Sequence, residues 1–271
     1  MQRLIVFLLT GVLVMTLAAP VLAQDEAPIL GVYGVLADGS AITADFDHTD
    51  GMHLYAFEGA NGSNVTISMT RTDGDIDPLL ILLRQNGRVE AWNDDGGGDL
   101  NSRLQWTLPE SGLYFVLATT PRELYFHSED DEIEGSYRIE ISGASNTSDD
   151  LELDPALLQI PRVQLDTSLQ AALDERQSVF FAWLNVQDSI VVDLSAPSNQ
   201  ADTLMYVFDI EGRRIAIDDD GGPDGLSAYV PELPLTEPGQ YLIMVTTFGF
   251  HEVNERGQQG GAFNLNVSRG S

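Results

Sequence analysis

The chain of 271 residues reads as all-β: two tandem antiparallel β-sandwich domains, jelly-roll-like, following a signal peptide. Three observations predict this. Apolar residues recur at period two, most clearly in Tyr137, Ile139, Ile141 and again in Phe263, Leu265, Val267, the pattern of strands with one buried face. Clusters of Gly, Asp, Asn and Pro interrupt the apolar stretches at short spacing, and no helical period is sustained beyond the N-terminal segment. Finally, the chain repeats itself. Asp77, the run Leu79 to Leu83, Asn86-Gly87 and Asn93-Asp94-Asp95-Gly96-Gly97 return 125 residues later as Asp202, Leu204 to Phe208, Glu211-Gly212 and Asp218-Asp219-Asp220-Gly221-Gly222. That displacement is too long for a solenoid repeat and fits a duplicated small domain.

Residues 1–23 read as a secretory signal. Arg3 supplies the positive start, Leu4 to Leu17 the apolar core, and Val21-Leu22-Ala23 the small-residue cleavage site. The apolar core falls short of the roughly 18 residues a spanning helix needs, so the expected product is secreted, extracellular or periplasmic, with no membrane attachment after signal removal. The absence of cysteine removes disulfides and thiol chemistry. The first domain is expected over residues 29–143 and the second over 162–269. Between them, residues 144–161 combine a polar Ser-Asn-Thr-Ser-Asp-Asp stretch with Leu151, Leu153, Leu157 and Leu158 between prolines, a linker whose leucines cap a domain edge. Corresponding strands are Leu54-Tyr55-Ala56-Phe57 with Phe180-Phe181-Ala182-Trp183, Val65-Ile67-Met69 with Ile190-Val192-Leu194, and Leu113 to Ala118 with Tyr241 to Thr246.

Charge narrows the function. With 42 acidic against 13 basic residues, all of them arginine, the net charge is −29. Nucleic acid is excluded as a partner for want of a basic face, and anionic membrane surfaces are disfavoured. General acidity suits solubility in an extracellular or saline setting. It does not explain why the acids cluster at the same place in each half.

Asn86-Gly87 is a strong signal for a two-residue type I′ hairpin turn. That turn sets Asp77 opposite Gly96, beside Asp94 and Asp95, and the matching turn sets Asp202 opposite Gly221, beside Asp219 and Asp220. Carboxylates at such spacing repel unless a cation intervenes, and the Gly pair offers backbone freedom for neighbouring oxygens to converge. Ca²⁺, which takes 6 to 8 oxygens in irregular geometry, suits Asp, Asn and carbonyl donors; zinc lacks its usual ligands here. The expected ligands are Asp75, Asp77, Asn93, Asp95 and Asp99 in the first copy, and Asp202, Asp218, Asp220 and Asp224 in the second. Asp73-Gly74-Asp75-Ile76-Asp77 opens like an EF-hand loop but departs from it at Pro78 and Arg84.

Taken together, these parts resemble the bacterial pre-peptidase C-terminal domain. The order of an aromatic strand, a Val-Thr-Ile strand, Asp77-Pro78 with its hairpin, the Asn-Asp-Asp-Gly-Gly cluster, Gly112-Leu113-Tyr114 and Gly135-Ser136-Tyr137 carries the resemblance. The second half repeats it with Gly239-Gln240-Tyr241 and Gly261-Ala262-Phe263. The resemblance implies a β-sandwich, Ca²⁺ binding, and an accessory role in targeting or stabilising secreted proteins, as in the collagen-binding modules of secreted collagenases. The second copy departs at Gln200, Pro223 and Leu226, which stand where the first has Asp75, Gly98 and Asn101.

Catalytic signatures are missing. There is no G-x-S-x-G elbow, phosphate loop or cysteine nucleophile, and His251-Glu252-Val253-Asn254-Glu255 lacks the second histidine of a zincin. The expectation is a non-enzymatic, calcium-binding tandem module. The alternative is a module that binds an extracellular polysaccharide or a collagen-like protein through aromatic end loops carrying Tyr125, Phe126-His127, Phe248 and Phe250-His251.

Overall fold

The computed structural model describes residues 32–46, 51–125, 133–149, 151, 160–174, 179–247 and 260–270. The expected signal segment lies outside the described residues, as do Phe126-His127, Phe248 and Phe250-His251. No helix among the described residues is long and apolar enough to cross a membrane.

In the first unit, a five-stranded sheet is ordered β1 (Gly34–Val35), β3 (His53–Gly59), β8 (Gly112–Thr119), β5 (Leu79–Arg84), β6 (Val89–Asn93). It faces a four-stranded sheet ordered β2 (Ala41–Phe46), β9 (Gly135–Ser142), β4 (Asn64–Gly74), β7 (Ser102–Thr107). The second unit repeats both orders: β10 (Arg162–Val163), β12 (Val179–Val186), β17 (Gly239–Thr247), β14 (Thr203–Phe208), β15 (Arg214–Asp218), against β11 (Thr167–Ala172), β18 (Ala262–Arg269), β13 (Ile190–Ser195), β16 (Tyr229–Leu235). Short helix α1 (Pro121–Tyr125) follows β8. One detail differs from an all-antiparallel sandwich: β1 and β3 run parallel, as do β10 and β12. The intervening strand, β2 or β11, lies in the opposite sheet, so the chain re-enters the first sheet in its original direction.

Ladder register decides which residues correspond. Tyr114 pairs with Phe57 and Tyr241 with Leu184, so Phe57 matches Leu184 and not Trp183. Val65 pairs with Trp106 and Val192 with Leu233, so Val65 matches Val192 and not Ile190. Apolar runs slide past one another freely in a sequence comparison; the face each residue buries on does not.

Among the described residues, three apolar clusters hold the fold together. One lies inside each sandwich. The third joins the outer faces of the two five-stranded sheets, with Leu54, Ile81 and Phe115 from the first unit against Phe181, Tyr206 and Leu242 from the second; the rings of Phe115 and Phe181 lie 5.3 Å apart. This seam explains why Leu79 to Leu83 are buried without alternation. Leu80 and Leu82 face their own sandwich, while Leu79, Ile81 and Leu83 face the other unit, as in a sheet covered on both faces. Each large apolar side chain so buried contributes about 1.5–3 kcal/mol.

The seam is closed by the hairpin turns. Gly87 and Gly212 have φ of +82° and +78°, and each abuts the other unit's backbone. A Cβ on Gly87 would stand 1.8 Å from the Val179 carbonyl oxygen, and one on Gly212 2.1 Å from the Tyr33 nitrogen. The Val179 amide also donates to the Gly87 carbonyl at 3.2 Å. The turn is not the two-residue type I′ expected from sequence, because Asn86 is not among the positive-φ residues. It runs from Arg84 to Gly87, whose amide donates to the Arg84 carbonyl at 2.9 Å, and a bulge at Glu90 restores the register, leaving Leu80 opposite Asn93. Glu123 of α1 and Arg214 of β15 form a buried ion pair across the seam.

The expected linker is not a free tether at its start. Asn146 is buried, accepting from the Glu58 amide at 2.9 Å and donating to the Leu36 carbonyl at 3.1 Å. Further on, Leu151 and Ile160 pack into the seam.

Candidate functional site: the acidic ends of two β-ribbons

Each ribbon of β5–β6 or β14–β15 opens at a loop built on one side chain. Asn93 closes β6, and its Oδ1 accepts from the amides of Gly96 at 2.7 Å and Arg103 at 2.9 Å. Asp218 does the same in the second unit, taking Gly221 at 2.8 Å and Tyr229 at 2.7 Å. The glycine after each acidic pair is required by proximity and not by φ freedom. A Cβ on Gly96 would meet Asn93 Oδ1 at 2.5 Å, and one on Gly221 would meet Asp218 Oδ2 at 2.6 Å. The left-handed residues come later, at Gly98, Asp99 and Leu100, and at Gly225. Thus the loop is wrapped around its staple, and the acids of the cluster are displayed by that wrapping.

Asp77 enters from the opposite side of the ribbon, just before β5. Its Oδ1 is buried and has no hydrogen-bond partner, and the same is true of Asp202 Oδ1. Burial, followed by the charges of Asp95 and Asp94, pushes the Asp77 carboxyl above the ordinary carboxylate value, while Arg71 pulls it down. Burial, followed by Asp220 and Asp219, pushes Asp202 up with no cation opposing. Desolvation, then Asp219, Asp218 and Asp224, raises Asp220. In each unit the charges of two neighbouring aspartates therefore act on one carboxylate with an orphaned oxygen.

The sequence-derived residues divide accordingly. Asp77 feels the charge of Asp95, and Asp202 that of Asp220. Asn93 and Asp218 serve as loop staples. Asp75 is exposed and ion-paired to Arg71 at 3.2 Å. Asp224 lies below the usual carboxylate range, held first by the Ser227 hydroxyl at 2.7 Å and then by the Leu226 amide at 3.2 Å. Asp99 occupies the matching loop position at φ +53°. Asp94 and Asp219, absent from the expected ligand sets, lie just past the strand ends, and their charges add to those of Asp95 and Asp220 on the orphaned carboxylates. Among the described residues, no three carboxylates or imidazoles already stand at metal-binding geometry. The fit to a hard cation thus rests on donor type and on the orphaned oxygens.

Residues 51–120 match the family described as the bacterial pre-peptidase C-terminal domain, a span from Gly51, just before β3, to the end of β8 that includes the whole first ribbon. The first unit carries a pre-peptidase C-terminal domain. No curated protein matches the chain. Among solved structures it is similar to the pre-peptidase C-terminal domain of the collagenase from Bacillus anthracis, with 14% identity and a TM-score of 0.33 over 40% of this chain and 93% of that one. It is also similar to PliG of Aeromonas hydrophila, a periplasmic inhibitor of g-type lysozyme, with 16% identity and a TM-score of 0.32 over 40% and 95%. Like the pre-peptidase C-terminal domain of the first unit, the second unit keeps the strand order and the stapled acidic loop.

Proposed function

We propose that the protein is an exported, non-catalytic accessory module whose two ribbon ends bind Ca²⁺. The observation that carries this reading is the orphaned, buried carboxylate oxygen at the same point in both units, Asp77 Oδ1 and Asp202 Oδ1. On these part-buried side chains an unpartnered carboxylate oxygen costs about 1 kcal/mol or less, and a divalent ion with oxygen preference removes that cost. Asp77, Asp94 and Asp95 would hold the ion in the first unit, and Asp202, Asp219 and Asp220 in the second, with loop carbonyls and water completing the shell. The ion would supply charge neutralisation and loop order. The chain's own residues supply the frame: Asn93 and Asp218 fix the loops, and the seam joins the two units into one body.

At an extracellular-type affinity of about 10⁻⁴ to 10⁻³ M, millimolar Ca²⁺ adds roughly 0.4–1.4 kcal/mol per site. The test is thermal unfolding of the chain from Gln24 in EDTA and in CaCl₂, with Asp77→Asn/Asp202→Asn as the control. Ca²⁺ raises the melting temperature of the parent by a few degrees and leaves the double variant unmoved. Superimposable melting curves for the parent with and without Ca²⁺ overturn the reading.

A further inference from the structure

The two units differ at the sandwich edge away from the ribbon ends, where the turn of the ribbon meets the turn before β8 or β17. In the first unit this edge is sealed by the chain itself. Arg84 pairs with Glu90 and, at 2.8 Å, with Glu110; Trp106 lies over them, its indole N–H donating to Glu90 at 3.2 Å. Beneath, the Tyr114 hydroxyl donates to the Glu110 carbonyl at 2.9 Å.

The second unit keeps the floor and loses the seal. Tyr241 donates to the Glu237 carbonyl at 2.8 Å, as Tyr114 does to Glu110. Asp209, however, stands in place of Arg84, Ile215 in place of Glu90, and Leu233 in place of Trp106. The result is a cleft of about 550 Å³. Its apolar wall is formed by Ile210, Ile215, Leu233 and Pro234, and its rim by Asp209, Glu211, Glu237 and Arg213. Arg213 is drawn to the Asp209 and Glu211 side, at 2.8 and 3.0 Å. Among the described residues, the exposed Glu237 carboxylate has no ion pair.

We propose that this cleft binds a cationic side chain, a guanidinium or ammonium on an aliphatic stem, presented by a basic protein or peptide. The first unit shows what the slot takes, since its own Arg84 guanidinium sits against Glu110, the counterpart of Glu237. In the second unit the guanidinium has been replaced by a carboxylate, so the slot is left with its anion and an apolar wall fitted to a methylene stem. The net charge of −29 steers basic partners toward the molecule, while the cleft adds a specific seat. The site is separate from the ribbon ends and needs no metal.

The test is amide NMR of the full chain from Gln24 in EDTA, titrated with acetyl-arginine-amide and with its citrulline counterpart. The arginine compound gives saturable shifts grouped at Ile210, Ile215, Leu233 and Tyr241, and the citrulline compound gives none. Glu237→Gln, at an exposed position, weakens binding about threefold or more. Asp209→Arg, which puts a guanidinium where the first unit has Arg84, abolishes it. Equal shifts from both compounds, shifts spread evenly over the acidic turns, or unchanged binding in Glu237→Gln overturns the proposal.

Discussion

The two units share strand order and ladder register yet differ at both ends of their ribbons, and the difference separates what the fold requires from what it permits. Most positions that face a core or the seam keep their character: Leu79, Ile81 and Leu83 correspond to Leu204, Tyr206 and Phe208, and Gly87 to Gly212, although Val89 gives way to Arg214. Positions at the rim do not. Arg84, Glu90 and Trp106 form a network in the first unit, where the second has Asp209, Ile215 and Leu233. At the other end, Arg71 offsets the acids around Asp77, whereas Ser198 occupies the equivalent place near Asp202. Side chains that pack against another layer cannot vary without opening a cavity or a clash; those at the rim are free to acquire separate roles.

The comparison is most severely tested at the seam. Arg214→Ala leaves Glu123 buried without its guanidinium and is expected to destabilise the whole chain by about 3–5 kcal/mol, read as the urea midpoint. A loss below about 1 kcal/mol would show that the units do not share a cooperative interface. An intermediate effect is expected at the staples. Asn93→Ala and Asp218→Ala each remove the oxygen that accepts from two loop amides and cost about 1–2 kcal/mol, while Asp218→Asn keeps the accepting oxygen and most of the stability. If the two alanine variants differ widely, the loops are not equivalent supports.

The smallest effect concerns the orphaned carboxylates. A carboxyl raised by folding above its ordinary value holds its proton longer in the folded chain. Its contribution is most favourable below that value and is lost as pH rises through the raised one. Asp77→Asn and Asp202→Asn should therefore flatten the decline in melting temperature above pH 4 in EDTA, each gaining about 1 kcal/mol or less near neutrality. Asp202→Asn gains more, because Asp77 alone has Arg71 nearby. An equal gain at both positions, measured by melting from pH 4 to 7, would remove the asymmetry between the units.

Much of this molecule was readable from local pattern. Period-two runs marked the strands, and the duplicated hairpin set Leu80 opposite Asn93 even though the turn itself is one residue longer and compensated by a bulge. That register brings Asp77 within the electrostatic influence of Asp95 and Asp94. What failed was orientation beyond the strand ends. Asn93 and Asp218 look like ligands in a list of oxygens, yet both face inward to bind their own loop amides. The exchange of Arg84 for Asp209 is visible in the chain, but only the meeting of two turns distant in sequence shows that it opens a cleft.

The all-β class, the duplication and the ribbon register were determined by sequence alone, because each depends on side-chain periodicity and turn chemistry within a few residues. The seam, the true correspondence of Leu54 with Phe181, and the buried pair of Glu123 with Arg214 were decided by tertiary structure. The uninterrupted apolar run of β5 was a sign that both of its faces are covered. Which surface covers the second face depends on the packing of layers far apart in the chain, and no local pattern encodes that choice.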